Sequence, residues 1–263
     1  MTAIFQNDER HQTDQNGSSQ ISLECIFTTN AEINAVMADR RETVVLVHGL
    51  YVHGLWMRLL EYWLEQSGYQ TMNYSYPTMT RSPAENADDL QIQLAHVNTP
   101  IVHFLAHSMG GLVVRHLFHN YPKQRPGRIV TMGTPHQGSY GARVMQSIGL
   151  GFCVGRGLEN GLLGDAPAWV APNHLGSIAG TLNVGFGLLF PGMPEPSDGM
   201  IAVVETQLPG MADHICLPVS HMQMLVDPTA VSQAMAFFAT GRFRHSSHSV
   251  PHDDKMINSS PVS

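Results

Sequence analysis

Cysteine is scarce in this chain: Cys25, Cys153 and Cys216 are the only three among 263 residues, and no two form a CxxC pair. Three widely spaced cysteines do not build a disulfide framework, and they favour a reducing compartment. A chain of this length can bury a substantial core without disulfide or metal cross-links. We therefore expect one large domain that is held together by packing.

Basic residues are also few, with 14 Lys and Arg against 21 Asp and Glu and a net charge of −7. This excludes a basic patch able to neutralise nucleic-acid phosphates. The sequence has no uncharged apolar run of about eighteen residues, the length that a membrane-spanning helix needs. Its first residues show no basic stretch followed by an apolar run, the mark of a signal peptide. These absences predict a cytoplasmic protein without a nucleic-acid partner, and they leave peripheral membrane contact and the oligomeric state open.

Polar composition sets off both ends of the chain. Residues 1–22 and 245–263 predict disordered tails around one domain over residues 23–244. Inside the domain, short apolar runs alternate with helical patterns, which predicts a mostly parallel sheet with helices on both faces. The predicted strands cover residues 43–47, 69–76, 101–105, 128–132, 177–182 and 215–219.

Several helix boundaries are marked by capping residues. Ser82, Pro83 and Glu85 predict a capped helix start, and Asp227 before a proline predicts another. A further helix is predicted from apolar residues at helical spacing, which should form one buried face. These residues are Leu55, Leu59, Leu60, Trp63 and Leu64.

A nucleophile is predicted where the third strand runs into a helix. Ser108 stands there between Ala106 and Gly110, in a small-x-Ser-x-Gly pattern. Such a serine sits on a sharp bend that raises its hydroxyl above the sheet, and small neighbours let strand and helix approach closely. We therefore predict Ser108 as the nucleophile.

An oxyanion hole needs two N–H groups aimed at one oxygen. The Met109 N–H, at the start of the helix, is one candidate. The Leu50 N–H is the other, because Leu50 follows the first strand in a tight turn that Gly49 permits. We expect His48 to brace this loop and not to act as the base.

The base and its acid should follow the last two strands, because reactive groups in such sheets lie beyond the carboxyl ends. His221 follows the last strand, and Asp198 lies in a turn after the preceding one, where Met200 and Ile201 could anchor it. We predict His221 as the base and Asp198 as the acid that orients it. The rival acids are Glu205, Asp213 and Asp165, and His214 lies before the last strand, at the wrong end of the sheet. His107 and His136 are predicted to line the site or to brace its loops.

Glycine is frequent over residues 139–196, which predicts a short glycine-rich cap that builds the substrate pocket. Its apolar residues would favour a hydrophobic acyl chain, although ordinary core packing would account for them equally well. These residues are Val144, Ile148, Phe152, Trp169, Phe186, Leu188, Leu189 and Phe190.

With these residues assigned, the chain resembles the α/β-hydrolase family and, more closely, its lipase and esterase branch. The resemblance covers roughly residues 43–242 and implies an α/β-hydrolase fold, with Ser108, Asp198 and His221 as a triad and Leu50 with Met109 as oxyanion donors. Two departures are Ala106, where a glycine is usual, and the short cap. The matching segments, in the family's order, are VVLVHGL, LAHSMGG, VTMGTPHQGS, PSDGM and LPVSHMQML.

The chemistry implied is two-step acyl transfer from an ester, through an acyl-enzyme, without a metal or an organic cofactor. Two alternatives stay open. An acyltransferase or a thioesterase would use the same triad, and a non-catalytic binding module could share the fold.

Overall fold

A computed structural model describes residues 42–185 and 191–245 of the chain. Both predicted tails lie outside these residues, apart from His245. The described strands are β1 (Glu42–Val47), β2 (Gln70–Tyr74), β3 (Ile101–His107), β4 (Ile129–Met132), β5 (Leu175–Gly180) and β6 (Asp213–Leu217). The described α-helices are α1 (Arg58–Gln66), α2 (Pro83–Gln93), α3 (Gly110–Asn120), α4 (Tyr140–Ser147) and α5 (Pro228–Thr240).

The six described strands form one sheet in the order β2-β1-β3-β4-β5-β6, and each neighbouring pair runs parallel. Parallel strands need crossover connections, and here those connections carry the helices. All carboxyl ends of the strands therefore meet at one edge of the sheet, where the loops after β1, β3, β4, β5 and β6 converge.

Two hydrophobic clusters cover the two faces of the sheet. Val45 and Val47 of β1 pack on one face with residues of α2 and α3, such as Leu90 and Leu112. Alternate β1 residues such as Val44 pack on the other face, with residues of α1 and α5. Successive side chains of a strand point to opposite faces, so a strand buried on both sides must be apolar throughout.

The helix boundaries follow the predicted caps. Ser82 and Glu85 form a reciprocal capping box at the start of α2. Asp227 accepts the N–H of Ala230 at the start of α5, and Gly241 ends that helix in a left-handed conformation with φ of 78°. Both capping predictions are confirmed.

The predicted buried face of α1 is partly wrong. Leu60 and Leu64 are fully buried, but Leu55 and Leu59 are exposed at 79% and 37%. A short 3-10 turn over Gly54–Met57 precedes α1, and its different period turns Leu55 outward while Met57 becomes buried.

The last two strands begin two residues earlier than predicted. Polar Asp213 and His214 open β6, and Pro218 follows its end because proline has no N–H to donate to a ladder. Between α4 and β5, Gly151–Cys153 and Gly155–Leu158 form two short 3-10 turns. In the described part of the chain, no helix has the length and apolar character required to cross a bilayer.

Candidate active site

Ser108 occupies the sharp bend between β3 and α3. Its φ of 54° lies in the left-handed region, which is strained for a residue with a side chain. The Ser108 N–H donates to the Met132 carbonyl at 2.8 Å, and the Thr134 hydroxyl donates to the Ser108 carbonyl at 2.8 Å. These bonds fix the bend to the end of β4.

The bend requires very close packing behind the serine. A Cβ on Gly110 would lie 2.4 Å from the Val47 carbonyl oxygen and 2.6 Å from that of His48. No side chain fits there. At the other small position, Ala106 is fully buried and lies beside Val47 in the sheet register. The small-x-Ser-x-Gly spacing therefore reflects contact between the α3 start and the β1 end.

His221 and Asp198 form a buried pair beyond the ends of β6 and β5. The His221 Nδ1 lies 2.7 Å from Asp198 Oδ2, and the His221 N–H donates to the Asp198 carbonyl at 2.8 Å. Asp198 is fully buried, and His221 is 5% exposed. A buried carboxylate in contact with Nδ1 favours the tautomer with the proton on Nδ1, which leaves Nε2 free to accept a proton.

The second carboxylate oxygen of Asp198 is held by backbone. Oδ1 accepts the N–H of Met200 at 2.9 Å and that of Ile201 at 2.7 Å, the two residues that the sequence suggested as its anchor. With His221 on Oδ2, the buried carboxylate accepts three hydrogen bonds. These bonds offset part of the free-energy cost of removing its charge from water.

Gly133 is packed against this pair. It has a φ of 58°, and a Cβ there would stand 2.9 Å from His221 Nδ1 and 3.0 Å from Asp198 Oδ2. Any side chain at this position would push the two groups apart. Sequence reasoning did not assign Gly133 a role, although the Gly-Thr-Pro-His pattern at the end of β4 contains it.

The loop after β1 and the start of α3 each present a backbone N–H. Among the described residues, neither the Leu50 N–H nor the Met109 N–H donates to a protein acceptor, and both residues line the same cavity as Ser108. Met109 directly precedes α3, where the helix dipole adds partial positive charge.

His48 braces the β1 loop from within. Its Nδ1 lies 3.0 Å from the Gly49 carbonyl, and its Nε2 accepts the Tyr76 N–H at 3.2 Å. The Tyr76 hydroxyl donates to the His48 carbonyl at 2.6 Å, and the two rings stack at 4.4 Å. Burial lowers the pKa of His48, which keeps the ring neutral and suits the acceptor role of Nε2.

His107 lies beneath His221. Its Nε2 donates to the His221 carbonyl at 3.0 Å, and the two ring centroids are 4.6 Å apart. His107 is fully buried, and burial followed by the nearby His221 holds its pKa well below the ordinary value. The neutral ring thus supports the His221 loop without adding charge.

His136 lies deeper and does not line the cavity. Its Nε2 is 3.0 Å from the Thr131 hydroxyl, and its carbonyl accepts from Arg115 at 2.5 Å. Burial holds the pKa of His136 well below its usual range. Of the two roles predicted for this residue, the geometry fits the bracing of a loop.

A cavity of about 750 Å³ opens beside Ser108 and His221. Among the described residues, no lysine, arginine, aspartate or glutamate lines it. Its apolar wall combines the loop after β1, the start of α3, α4 with the turns that follow it, and the loops after β5 and β6: Leu50, Tyr51, Val52, Trp56, Met109, Ala142, Met145, Cys153, Val154, Leu162, Val184, Met200, Ile201 and Met222.

The predicted wall residues differ from these. None of Val144, Ile148, Phe152 and Trp169 lines the cavity. Ile148 and Phe152 are 60% and 73% exposed, because the tight turns after α4 point them to solvent, while Trp169 packs on Phe118 in the core. The other four, Phe186, Leu188, Leu189 and Phe190, lie outside the described residues.

The structure is similar to solved lipases and esterases. It matches the Bacillus licheniformis lipase BlEst2 in mature form with a TM-score of 0.57 and 19% identity, over 75% of this chain and 90% of that one. It matches the metagenomic carboxyl esterase MGS0156 with a TM-score of 0.58 and 17% identity, over 70% of this chain and 65% of that one. For the phospholipase PlaB from Legionella pneumophila the TM-score is 0.54 and the identity 15%, over 76% and 56% of the two chains.

This chain has the α/β-hydrolase fold. The predicted α/β-hydrolase fold, a mostly parallel sheet with helices on both faces, is thereby confirmed, and the described residues contribute six parallel strands to it. A family model described as a domain of unknown function (DUF7379) matches residues 23–146, and no curated protein matches the sequence.

The rival acids occupy other parts of the α/β-hydrolase fold. Asp213 opens β6 at the opposite end of the sheet, where it contacts His245 at 2.9 Å. Asp165 accepts the Asn160 N–H in the segment between α4 and β5. Glu205 is buried but is bound by Arg143 and by the N–H groups of Tyr140 and Ala202, so it ties α4 to the loop after Asp198.

Proposed function

We propose that this chain is a serine hydrolase that cleaves carboxylic esters, with Ser108 as the nucleophile. One observation carries the proposal: Ser108 and His221 line the same apolar cavity, and His221 is bonded on its buried side to Asp198. Several similar structures are lipases or esterases, which supports this chemistry only at the level of the fold.

In the proposed first step, Ser108 Oγ attacks the ester carbonyl carbon while its proton passes to His221 Nε2. The carbonyl π electrons move onto oxygen and give a tetrahedral oxyanion. Its collapse expels the alcohol, which takes the proton from His221 and leaves an acyl group on Ser108. A water molecule then attacks the acyl carbonyl and gives its proton to His221. Collapse of the second tetrahedral intermediate releases the acid, and Ser108 regains its proton from His221.

Asp198 would stabilise the imidazolium that forms in each step, since its carboxylate is buried and already bonded to Nδ1. The Leu50 and Met109 N–H groups would receive the oxyanion. Removing one such donor usually costs about a hundred- to thousandfold in rate.

The cavity also bears on the substrate. A wall without charged side chains would leave a charged acyl group desolvated and unpaired, which is costly. The proposed substrates are therefore uncharged esters with a hydrophobic acyl chain.

A fluorophosphonate probe and p-nitrophenyl butyrate test the proposal. The wild-type chain should be labelled and should release p-nitrophenol, and Ser108→Ala should abolish both. Ser147→Ala is a matched control, because Ser147 is exposed at the end of α4. Full activity of Ser108→Ala would refute the nucleophile assignment, and an unlabelled, inactive wild type would favour a binding module.

A further inference from the structure

Positive φ angles cluster around the two proposed oxyanion donors. Among the described non-glycine residues, only Tyr51, Ser108 and Asn160 have a positive φ. Tyr51 directly follows Leu50, and Ser108 directly precedes Met109. The bend at Ser108 is explained by the strand-to-helix packing described above, but Tyr51 needs a separate explanation.

Tyr51 occupies a turn position that usually selects glycine or asparagine. The Val52 N–H donates to the Gly49 carbonyl at 3.3 Å, which closes a four-residue turn with Tyr51 third and a φ of 58°. The Tyr51 N–H donates to the Thr78 hydroxyl at 3.4 Å. The turn leaves the Leu50 N–H without a protein acceptor among the described residues, and a bulky aromatic residue is not required to form the turn.

The side chain of Tyr51 lies at the entrance of the cavity. It lines the cavity and is nevertheless 60% exposed. Trp56 and Met222 share both properties, with exposures of 56% and 42%. Burial and the nearby Cys153 thiol raise the pKa of Tyr51, so its hydroxyl stays protonated and uncharged. Strain retained at the opening of a site is an indication of function.

We propose that Tyr51 is a specificity-determining residue whose ring packs against the apolar chain of an ester that extends from the cavity to its entrance. This inference rests on the proposed function, since it concerns the substrate of the same site. It explains why tyrosine is present where glycine would relax the backbone: the ring supplies apolar contact area that glycine lacks.

The test compares two variants on p-nitrophenyl acetate and p-nitrophenyl octanoate. Tyr51→Asn removes the ring while asparagine still accepts a positive φ, and Tyr51→Phe retains the ring. Tyr51→Asn should lose roughly tenfold in kcat/KM on the octanoate, mainly through KM, and little on the acetate. Tyr51→Phe should keep the wild-type ratio between the two esters, because the ring and not the hydroxyl makes the contact.

Tyr62→Asn is the matched control. Tyr62 is 54% exposed on α1 and does not line the cavity, so its loss should leave the octanoate-to-acetate ratio unchanged. An unchanged ratio for Tyr51→Asn, or an equal loss for Tyr51→Phe, would overturn the inference. These outcomes differ from failure of the proposed function, which would leave the wild-type chain unlabelled by the fluorophosphonate and inactive on both esters.

Discussion

At the scale of single residues, the Asp198–His221 contact is the interaction on which the proposed chemistry depends most. Asp198→Asn keeps the shape but presents an amide to Nδ1, which favours the wrong tautomer of His221. We expect kcat to fall by roughly a thousand- to ten-thousandfold with a small change in KM. Steady-state kinetics on p-nitrophenyl butyrate measure the loss.

Asp165→Asn provides the comparison for that variant, because Asp165 is a carboxylate between α4 and β5 that accepts the Asn160 N–H and does not line the cavity beside Ser108 and His221. Its kcat should stay near that of the wild type. A mild effect of Asp198→Asn, within about tenfold of the control, would argue against Asp198 as the orienting acid.

Gly133 offers a second residue-scale prediction. Gly133→Ala introduces a Cβ that would stand 2.9 Å from His221 Nδ1, so it should displace the ring and lower kcat strongly. Gly149→Ala is the matched control, because Gly149 also has a positive φ of 79° but nothing within 4 Å of an added Cβ.

Both alanine variants should lose about 1 kcal/mol of stability from the strained backbone, or somewhat more for Gly133. Only Gly133→Ala should lose activity. Equal kcat values for the two variants would show that the space beside His221 is not required.

At the scale of elements, Arg115 of α3 ties together segments that are far apart in sequence. Its buried guanidinium donates to the carbonyls of His136, Ala166 and Pro167. Burial lowers the pKa of Arg115 to about 10, so the group stays charged at neutral pH. Arg115→Met would leave three carbonyls without their donor and should cost about 3 kcal/mol of unfolding free energy.

Urea unfolding measures this cost, with Arg242→Met for comparison. Arg242 is exposed and donates to the Ala212 carbonyl, so its replacement should change stability by less than about 0.5 kcal/mol. Equal midpoints for the two variants would mean that the carbonyls find other partners.

Elements whose signals are local were the predictable ones. The capping residues of α2 and α5 and the bend at Ser108 are short patterns, and each was placed correctly. The face of α1 was misjudged because a 3-10 turn and a helix have different periods, which a pattern of leucines does not distinguish. Tertiary hydrogen bonding, and not hydrophobicity alone, sets where β5 and β6 begin.

The cavity wall could not be predicted for a related reason. Whether Phe152 points to solvent or Met145 to the cavity depends on turns that pack against α2 and α3, far away in sequence. The importance of Gly133 depends on what faces it from the loops after β5 and β6. Such contacts appear only when the strands are assembled.

At the scale of the whole molecule, buried histidines should set the pH dependence of stability. Burial lowers the pKa of six histidines in the described chain: His48, His103, His107, His116, His136 and His214. The folded state therefore binds fewer protons than the unfolded state once the pH falls below the unfolded value of about 6.5. Stability should be complete above that pH and should decline as the pH falls through the lowered pKa values.

Glu205 has the opposite effect on the pH dependence, because burial raises its pKa. Its contribution to the free energy of unfolding is lost as the pH rises through the raised pKa. The six histidines together have a larger effect on stability than the single carboxyl. Each histidine changes the free energy of unfolding by up to about 1.4 kcal/mol per pH unit, over the pH range between its folded and unfolded pKa values. Urea unfolding between pH 8 and pH 5 should show stability that decreases with acidity, and His116→Gln should reduce the slope. A stability that is constant or increases towards pH 5 would contradict this account.

The distribution of the candidate groups along the chain has a practical consequence. Ser108 and both proposed oxyanion donors follow strands β1 and β3, whereas Asp198 and His221 follow the last two strands, β5 and β6. A fragment that ends near residue 146, where the family model stops, would carry the proposed nucleophile but neither the proposed base nor the proposed acid. Recovery of esterase activity after denaturation would therefore require the entire sheet to have formed. An activity measurement would then serve as an assay of complete refolding.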